Sequence, residues 1–375
     1  MKIPPVDYER TPFLIIWETT QACDLVCRHC RASAQPMRDC GELSTSEGKD
    51  LLGQAASLGT PIVVLSGGDP LKREDLYELI RFGTSLGLRM ATIPAATETL
   101  TEDVIKNLKQ SGLSQMALSL DFPTAELHDS FRGVPGAFVR TMKAVEWAHK
   151  HEMPLQINTT ICGESLPHLE KMVELVKRLD VVFWEVFFLV PMGRGEELEG
   201  LDAQDCEEIF GLLYRTQKSS SFLVKVTEAP HYRRYVAQRE RMEQGTCRNV
   251  GSLPAQLIRT EGPGGTIGLA PAGVNAGNGF LFISHTGDVF PSGFLPVSGG
   301  NIRKRGLASI YRDTIFFQKL RRPREFNGVC GRCEYNLICG GSRSRALALT
   351  GDPFASDPWC AYKPGNEAAP EAPAG

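Results

Sequence analysis

Cys23-Asp24-Leu25-Val26-Cys27-Arg28-His29-Cys30 decides how the rest of the chain is read. Residues 12–20 (PFLIIWETT) form a compact apolar run of strand character, and only Gln21 and Ala22 separate it from Cys23. The thiols therefore sit on a loop just past a strand end. Three thiols spaced C-x3-C-x2-C can wrap one corner of a small iron–sulfur cube, whose usual ligands are four cysteine thiolates. Three leave one iron without a protein ligand, and such an iron can bind a substrate or cofactor directly. A zinc knuckle is the alternative use of clustered cysteines.

Outward from the loop, residues 43–57 read as a helix with Ser44 or Ser46 as its cap and Leu51, Leu52 and Ala55 on one face. Residues 61–65 (PIVVL) are a short buried strand running into Ser66-Gly67-Gly68-Asp69-Pro70. Helices are expected at 72–86, 102–111, 137–150 and 168–179, and strands at 90–93, 115–120, 155–160, 182–190 and 219–227. This alternation implies parallel βαβ units in a barrel or open sheet. About six repeats fit between residues 12 and 225, too few for a closed eight-fold barrel.

In such architectures the chemistry sits at the carboxyl ends of the parallel strands. The polar clusters fall there: the three cysteines after the first strand, Ser66 to Pro70 after the second, Ser119 and Asp121 at the fourth. Asn158-Thr159-Thr160 closes the fifth, and Pro191-Met192-Gly193-Arg194-Gly195 follows the sixth.

The chain has 11 cysteines. Besides the first trio they group as Cys330-x2-Cys333-x5-Cys339-x20-Cys360, four thiols that would close one cluster. Structural zinc is the alternative occupant. Cys40, Cys162, Cys206 and Cys247 are scattered and read as small buried residues. The amino-terminal MKIPPVDYERTPF lacks the apolar core of a signal peptide, so the grouped thiols suggest metal and not disulfides.

With these residues quoted, the first loop resembles the cluster motif of radical S-adenosylmethionine (SAM) enzymes, with His29 where the family usually has an aromatic residue. The resemblance implies that the unique iron chelates SAM and that reductive cleavage gives a 5′-deoxyadenosyl radical. It also implies an α/β fold, a partial (β/α)6 TIM-like barrel with a small C-terminal cysteine-rich iron–sulfur domain. The expected divisions are the core barrel at 12–225, a connecting segment or lid at 226–279, the auxiliary domain at 280–362 and a disordered tail at 363–375.

Ser66-Gly67-Gly68-Asp69-Pro70 resembles the family's GGE-type motif, with Asp69 in place of glutamate. The resemblance gives Gly67 and Gly68 close backbone approach to SAM, and Asp69 a hydrogen bond from the SAM ammonium. A plain strand-to-helix turn is the alternative. Ser119, Asp121 and Arg132, with His128-Asp129 and Phe131-Arg132-Gly133, resemble the stretch that reaches the SAM ribose and carboxylate, Arg132 acting as a fork. Asn158 is a weaker member of that set. The competing reading has Asp121 capping a helix and Arg132 pairing on the surface.

The C-terminal cysteines resemble half of a SPASM domain, which often carries two auxiliary clusters. Ser292 and Arg343 stand where cysteines of the other cluster are common. This implies two 4Fe–4S clusters in total, one SAM-binding and one auxiliary. The segment 339–360, with 227–234 (TEAPHYRR) and 188–195 (FLVPMGRG), looks like the enzymes of alternative haem and haem d1 biosynthesis. The expected function is radical modification of a tetrapyrrole side chain. Arg194, Arg233, Arg234, Arg343 and Arg345 are candidate propionate partners, and His231 a general acid or iron ligand. His231 and Arg194 are the catalytic candidates. For an arginine run, a solvated helix face is the competing reading. Modification of a ribosomally made peptide, or a non-enzymatic iron–sulfur or zinc scaffold, are the competing functions.

With net charge −3, 23% charged and 42% hydrophobic residues, the composition gives no reason to expect nucleic acid or membrane as a partner. The longest apolar run, 181–191, is interrupted by Glu185 and is too short to span a bilayer. The cytoplasm is the default location, and an electron donor such as ferredoxin or flavodoxin is the implied partner.

Overall fold

Seven parallel strands form the scaffold of the computed structural model, which describes residues 6–244 and 273–365. In chain order these are β1 (Leu14–Glu18), α1 (Thr45–Leu58), β2 (Ile62–Ser66), α2 (Leu76–Ser85), β3 (Arg89–Thr92), α3 (Glu102–Gln110) and β4 (Gln115–Ser119). Then come α4 (Ala125–Arg132), α5 (Ala137–Lys150), β5 (Leu155–Ile161), α6 (Leu169–Arg178), β6 (Phe183–Phe188), α7 (Ala203–Ser219), β7 (Leu223–Thr227) and α8 (Tyr232–Gln244). The C-terminal part adds β8 (Asn275–Ala276), β9 (Gly279–Ile283), β10 (Asp288–Phe290), β11 (Gly300–Asn301), α9 (Leu307–Asp313), α10 (Ile315–Leu320), α11 (Gly328–Arg332) and α12 (Arg343–Thr350).

The sheet order is β11-β10-β9-β1-β2-β3-β4-β5-β6-β7, with β8 on β9, and the path does not close. This is the partial barrel. Strand β9 pairs in parallel with β1, Phe280 opposite Leu14, so the division expected at residue 280 falls inside one hydrogen-bonded sheet. Strand β10 returns antiparallel to β9, forming a hairpin.

Local chemistry sets the element ends. Ser44 caps α1: its hydroxyl accepts from the Glu47 N–H, and the Glu47 carboxylate accepts from the Ser44 N–H at 2.8 Å. The helix expected from residue 72 starts at Leu76, because Pro70–Lys72 makes a short 3-10 turn and Arg73 is extended. The strand expected from 219 starts at Leu223, because α7 continues through Ser219. Helix α8 lies in the expected connecting segment. Residues 245–272 of that segment, Cys247 among them, lie outside the described residues, as do residues 366–375 of the expected tail.

Alternation along the strands separates core from cavity. Trp17, Val63, Leu65, Ile157 and Trp184 are buried under the helices. Gly48 of α1 packs directly on Trp17, where a Cβ would stand 2.6 Å from the indole. The intervening residues, Ile16, Val64, Ala117, Asn158 and Glu185, face the barrel interior and line its cavity. Among the described residues no helix is long and apolar enough to cross a membrane.

A candidate active site at the strand ends

The cysteine loop is zipped onto the loop after β2. Gly68 N–H donates to Thr20 O and Asp69 N–H to Ala22 O, both at 2.7 Å. A Cβ on Gly67, whose φ is 152°, would lie 2.3 Å from Thr20 O, and one on Gly68 2.4 Å from Ala22 O. The two glycines are thus required by the cysteine loop itself, as well as lining the cavity. On the other side, Cys23 N–H donates to Gln35 O at 2.8 Å and Gln35 N–H to Gln21 O at 3.0 Å.

Each of the three sulfurs accepts an N–H: Cys23 from Leu25 and Cys30 from Ala34 at 3.4 Å, Cys27 from Arg132 Nη1 at 3.6 Å. Burial pushes the Cys23 thiol up to about 12 and raises Cys27 as well, the Arg132 charge opposing the second shift. Such thiols keep their protons until a cation arrives to share the site, and donors aimed at sulfur favour the metal-bound thiolate. Cys23, Cys27 and Cys30 all line the cavity. The trio fits a cluster with one open corner.

Arg132 braces Cys27 and also lines the cavity. Its Nη2 lies 2.5 Å from Asp121 Oδ2, and Asp121 Oδ1 accepts from the Thr160 N–H at 2.9 Å. Asp121 is 2% exposed, so its carboxylate is committed to Arg132 and the backbone and has no free face toward a ribose. His29 stacks on Phe131, centroids 4.6 Å apart, and burial lowers its pKa to about 4. It is a neutral ring fixing the loop.

The four C-terminal thiols are also dressed for metal. Cys330 accepts from the Asp357 N–H and from Arg343 Nη2, and Cys339 from the Gly341 N–H, all at 3.4 Å. Cys333 and Cys360 accept from the backbone of Tyr335 and Tyr362, and burial pushes both thiols up to about 11. Like-charge repulsion among Cys330, Cys339 and Cys360 marks them as neighbours. Among the described residues no group of three His, Cys, Asp or Glu side chains is arranged to hold a single metal ion. A cubane asks for a different arrangement, one thiolate at each iron. The described cysteines are all free; Cys162 and Cys206 are buried as expected, whereas Cys40 is exposed.

Between the two thiol sets lies a cavity of about 850 Å³, within the range of small-molecule sites. Ile16, Val64, Phe187, Phe282 and Phe294 give it apolar walls; Ser119, Asn158, Arg31, Lys225, Arg233 and Arg343 supply polar points. Gln156 Nε2 donates to Asn158 Oδ1 at 2.7 Å and to Glu185 Oε2 at 2.6 Å, while Lys225 lies 3.1 Å from the same Glu185 oxygen. Glu228 gathers the hydroxyls of Ser292, Ser342 and Ser344, tying the C-terminal segment to the end of β7. Sequence reading missed Gln156, Glu185, Lys225 and Glu228 as site residues. Alternate polar residues on β5 to β7 were the available signal.

Several of the expected site residues are tied into the scaffold. The Asp69 carboxylate is fully buried and turned from the cavity, accepting from Leu71 N–H (3.1 Å), Ala95 N–H (3.3 Å) and Thr97 Oγ1 (3.3 Å). It caps a turn and pins the β3 loop. Arg194 is a clasp: Nε donates to Cys27 O at 2.9 Å and its backbone N–H to Cys30 O at 3.1 Å. His231 is 0% exposed, packs edge-on against Phe210 and lies 3.7 Å from Asp357, with its pKa pushed down to about 3 by burial. Neither lines the cavity. Arg345 is fully buried in a bidentate pair with Asp357, both bonds 2.9 Å, and Arg234 pairs with Glu207. Arg194, Arg234 and Arg345 are thus held by partners within the protein, while Arg233 and Arg343 reach the cavity wall.

Residues 17–176 match the model of the radical SAM superfamily. The chain is 41% identical to the AdoMet-dependent heme synthase of Methanosarcina barkeri over 95% of its own length and 98% of that protein's. It is 39% identical to the enzyme of that name from Oleidesulfovibrio alaskensis, covering 94% and 87%. SuiB of Streptococcus suis bound to S-adenosylmethionine superposes with a TM-score of 0.71 at 17% identity, over 94% of this chain and 78% of SuiB, a likeness of fold. The chain is a radical SAM enzyme. Within that superfamily it belongs with the AdoMet-dependent heme synthases. Its class-defining cofactors are SAM and a 4Fe–4S cluster.

Proposed function

We propose that the enzyme remodels a side chain of a haem-precursor tetrapyrrole. The observation that carries this is the cavity: about 850 Å³ with apolar and aromatic walls, bounded by the three-thiol loop on one side and by arginine-backed thiols on the other. Its similarity to heme synthases of about the same length supports the same substrate class. Modification of a peptide is the weaker reading: the peptide-modifying relatives are more distant in sequence, and the likeness to SuiB concerns fold alone.

In this reading Cys23, Cys27 and Cys30 hold the SAM-binding cluster, and Cys330, Cys333, Cys339 and Cys360 an auxiliary 4Fe–4S cluster. SAM bound to the reduced cluster supplies a carbon radical that removes a hydrogen atom from the substrate. The chain's own residues bind and orient. Gly67, Gly68, Ser119 and Asn158 form the wall beside the first loop, where SAM is seated. Asp121, Arg132 and Arg194 brace that loop. The phenylalanines exclude water, which protects a radical from quenching. Arg233 and Arg343 make one wall positive, and Arg31 and Lys225 stand further round, suiting a substrate that carries carboxylates.

The barrel and the region from residue 273 onward, joined through the β1–β9 pairing, act as one working unit. An acidic electron carrier of the ferredoxin or flavodoxin type supplies electrons. A reducing compartment, the cytoplasm, keeps the thiols available. The oxygen-free, iron-loaded protein titrated with iron-coproporphyrin III is expected to shift the Soret band at micromolar ligand, and to yield 5′-deoxyadenosine with SAM and reductant. An unmoved Soret band at high micromolar ligand would overturn the tetrapyrrole assignment.

A further inference from the structure

We infer that Arg343, seconded by Arg233, is a positioning residue that raises the electron affinity of the four-thiol site from the cavity wall. This rests on reading Cys330, Cys333, Cys339 and Cys360 as ligands of an auxiliary 4Fe–4S cluster. Arg343 is 3% exposed. Its Nη2 donates to Cys330 Sγ at 3.4 Å, its Nη1 to the carbonyls of Pro353 (3.0 Å) and Ala355 (2.6 Å), and its Nε to Gly341 O at 3.3 Å. The guanidinium also lies 4.8 Å over the Phe326 ring. Arg233, on the Cys339 side, donates to Val274 O (2.6 Å), Ile338 O (3.0 Å) and Asn275 Oδ1 (2.9 Å). Among the described residues neither arginine hydrogen-bonds a carboxylate. Carbonyl dipoles orient a guanidinium without cancelling its charge.

The slot is built for this contact. Gly341 has φ 66°, and a Cβ there would lie 2.4 Å from Arg343 Nη2 and 3.0 Å from Cys330 Sγ. Only glycine leaves room for guanidinium and sulfur to meet. The cysteine loop offers the internal contrast. Arg132 touches Cys27 Sγ in the same way, but Asp121 at 2.5 Å offsets its charge. Among the described residues Arg343 has the partly exposed Asp352 within electrostatic reach and no carboxylate in hydrogen-bond contact. Such a positive charge in a low-dielectric wall favours the more negative, reduced form of a cluster, and hydrogen bonds to sulfur act in the same direction. Arg233, Gly341 and Arg343 also line the cavity, so this field lies between substrate and thiols.

The test is an EPR-monitored potentiometric titration of the oxygen-free, iron-loaded full chain, with the SAM-binding cluster as internal reference. In R343M the auxiliary midpoint is expected to fall so that its oxidised-to-reduced ratio at fixed poise rises about tenfold, ~59 mV for a one-electron couple. R343K, which keeps the charge, is expected to recover most of that shift, and R233M to give a smaller fall. The reference midpoint stays in place throughout. An auxiliary midpoint unmoved in iron-replete R343M overturns the inference, as does zinc in the four thiols. Should R343M lose its iron, R233M decides: a fall of the same sign supports the inference and no movement overturns it. Failure of a tetrapyrrole to bind would sink the substrate assignment while leaving these midpoints where they are.

Discussion

The two thiol sites solve one problem in different ways. The amino-terminal site has little regular structure of its own. A loop at the end of β1 is held by its neighbours: by Gly67 and Gly68 from one side, by Arg194 from another, and by Arg132 at Cys27. The C-terminal site draws its thiols from α11 and the turns around it, and closes them with the buried Arg345–Asp357 pair. Three thiols on a braced loop leave a corner facing the cavity; four thiols in a self-contained knot leave none. One site is arranged for exchange and the other for retention.

Removing a thiol from each site breaks the comparison most directly. Cys27→Ala is expected to abolish SAM cleavage and to lower the iron content from about eight to about four per chain. Cys339→Ala is expected to lose a similar amount of iron while SAM is still cleaved. Iron analysis and 5′-deoxyadenosine assays check both, and SAM cleavage surviving in C27A would reverse the assignment of the sites.

Asp357→Asn strikes the knot alone. It leaves the fully buried Arg345 without its countercharge, a change that typically costs about 3–5 kcal/mol. Denaturant titration is expected to show that loss together with selective release of C-terminal iron.

Gly68→Ala strikes the brace of the loop, where a Cβ would lie 2.4 Å from Ala22 O. A cost of about 1–3 kcal/mol is expected. It is accompanied by weaker SAM binding and an unchanged auxiliary EPR signal. Equal damage to both clusters would show that the two sites are not independent.

The smallest effect concerns pH. Hydrogen bonding to Glu18 raises His285 above its ordinary 6.5, against the pull of burial, and Glu18 also pairs with Arg31 at the cavity wall. A raised histidine stabilises the fold fully below the unfolded value, and that contribution is lost as pH rises through the folded one. His285→Gln is therefore expected to cost about 1 kcal/mol or less near pH 5.5 and almost nothing at pH 9. Equal costs at both pH values would show that the charge on His285 contributes nothing.

Much of the fold was legible because hydrophobic periodicity and strand-end punctuation are local signals. The capping box at Ser44 and Glu47, the Ala137–Lys150 helix and the clustering of polar residues at carboxyl ends of strands all follow from neighbours in sequence. The late start of α2 was less legible, because it depends on Arg73 being drawn to Asp75 and to the carbonyls of Thr19 and Leu43. The site was legible as positions and much less as roles. Asp69, Arg194 and His231 all lie near the right strand ends, yet each spends its polar atoms or its burial on the scaffold.

By itself the sequence determined which residues are chemically able to hold iron, how many thiols each set supplies, and that both belong to a βα-repeated chain. Thiol count and strand period are covalent and local, so no folded context can alter them. Tertiary structure alone decided which way each polar side chain faces. A carboxylate or guanidinium in a low-dielectric interior turns to whatever donor or acceptor offsets its desolvation, and that partner can come from more than a hundred residues away, as with Arg132 and Cys27.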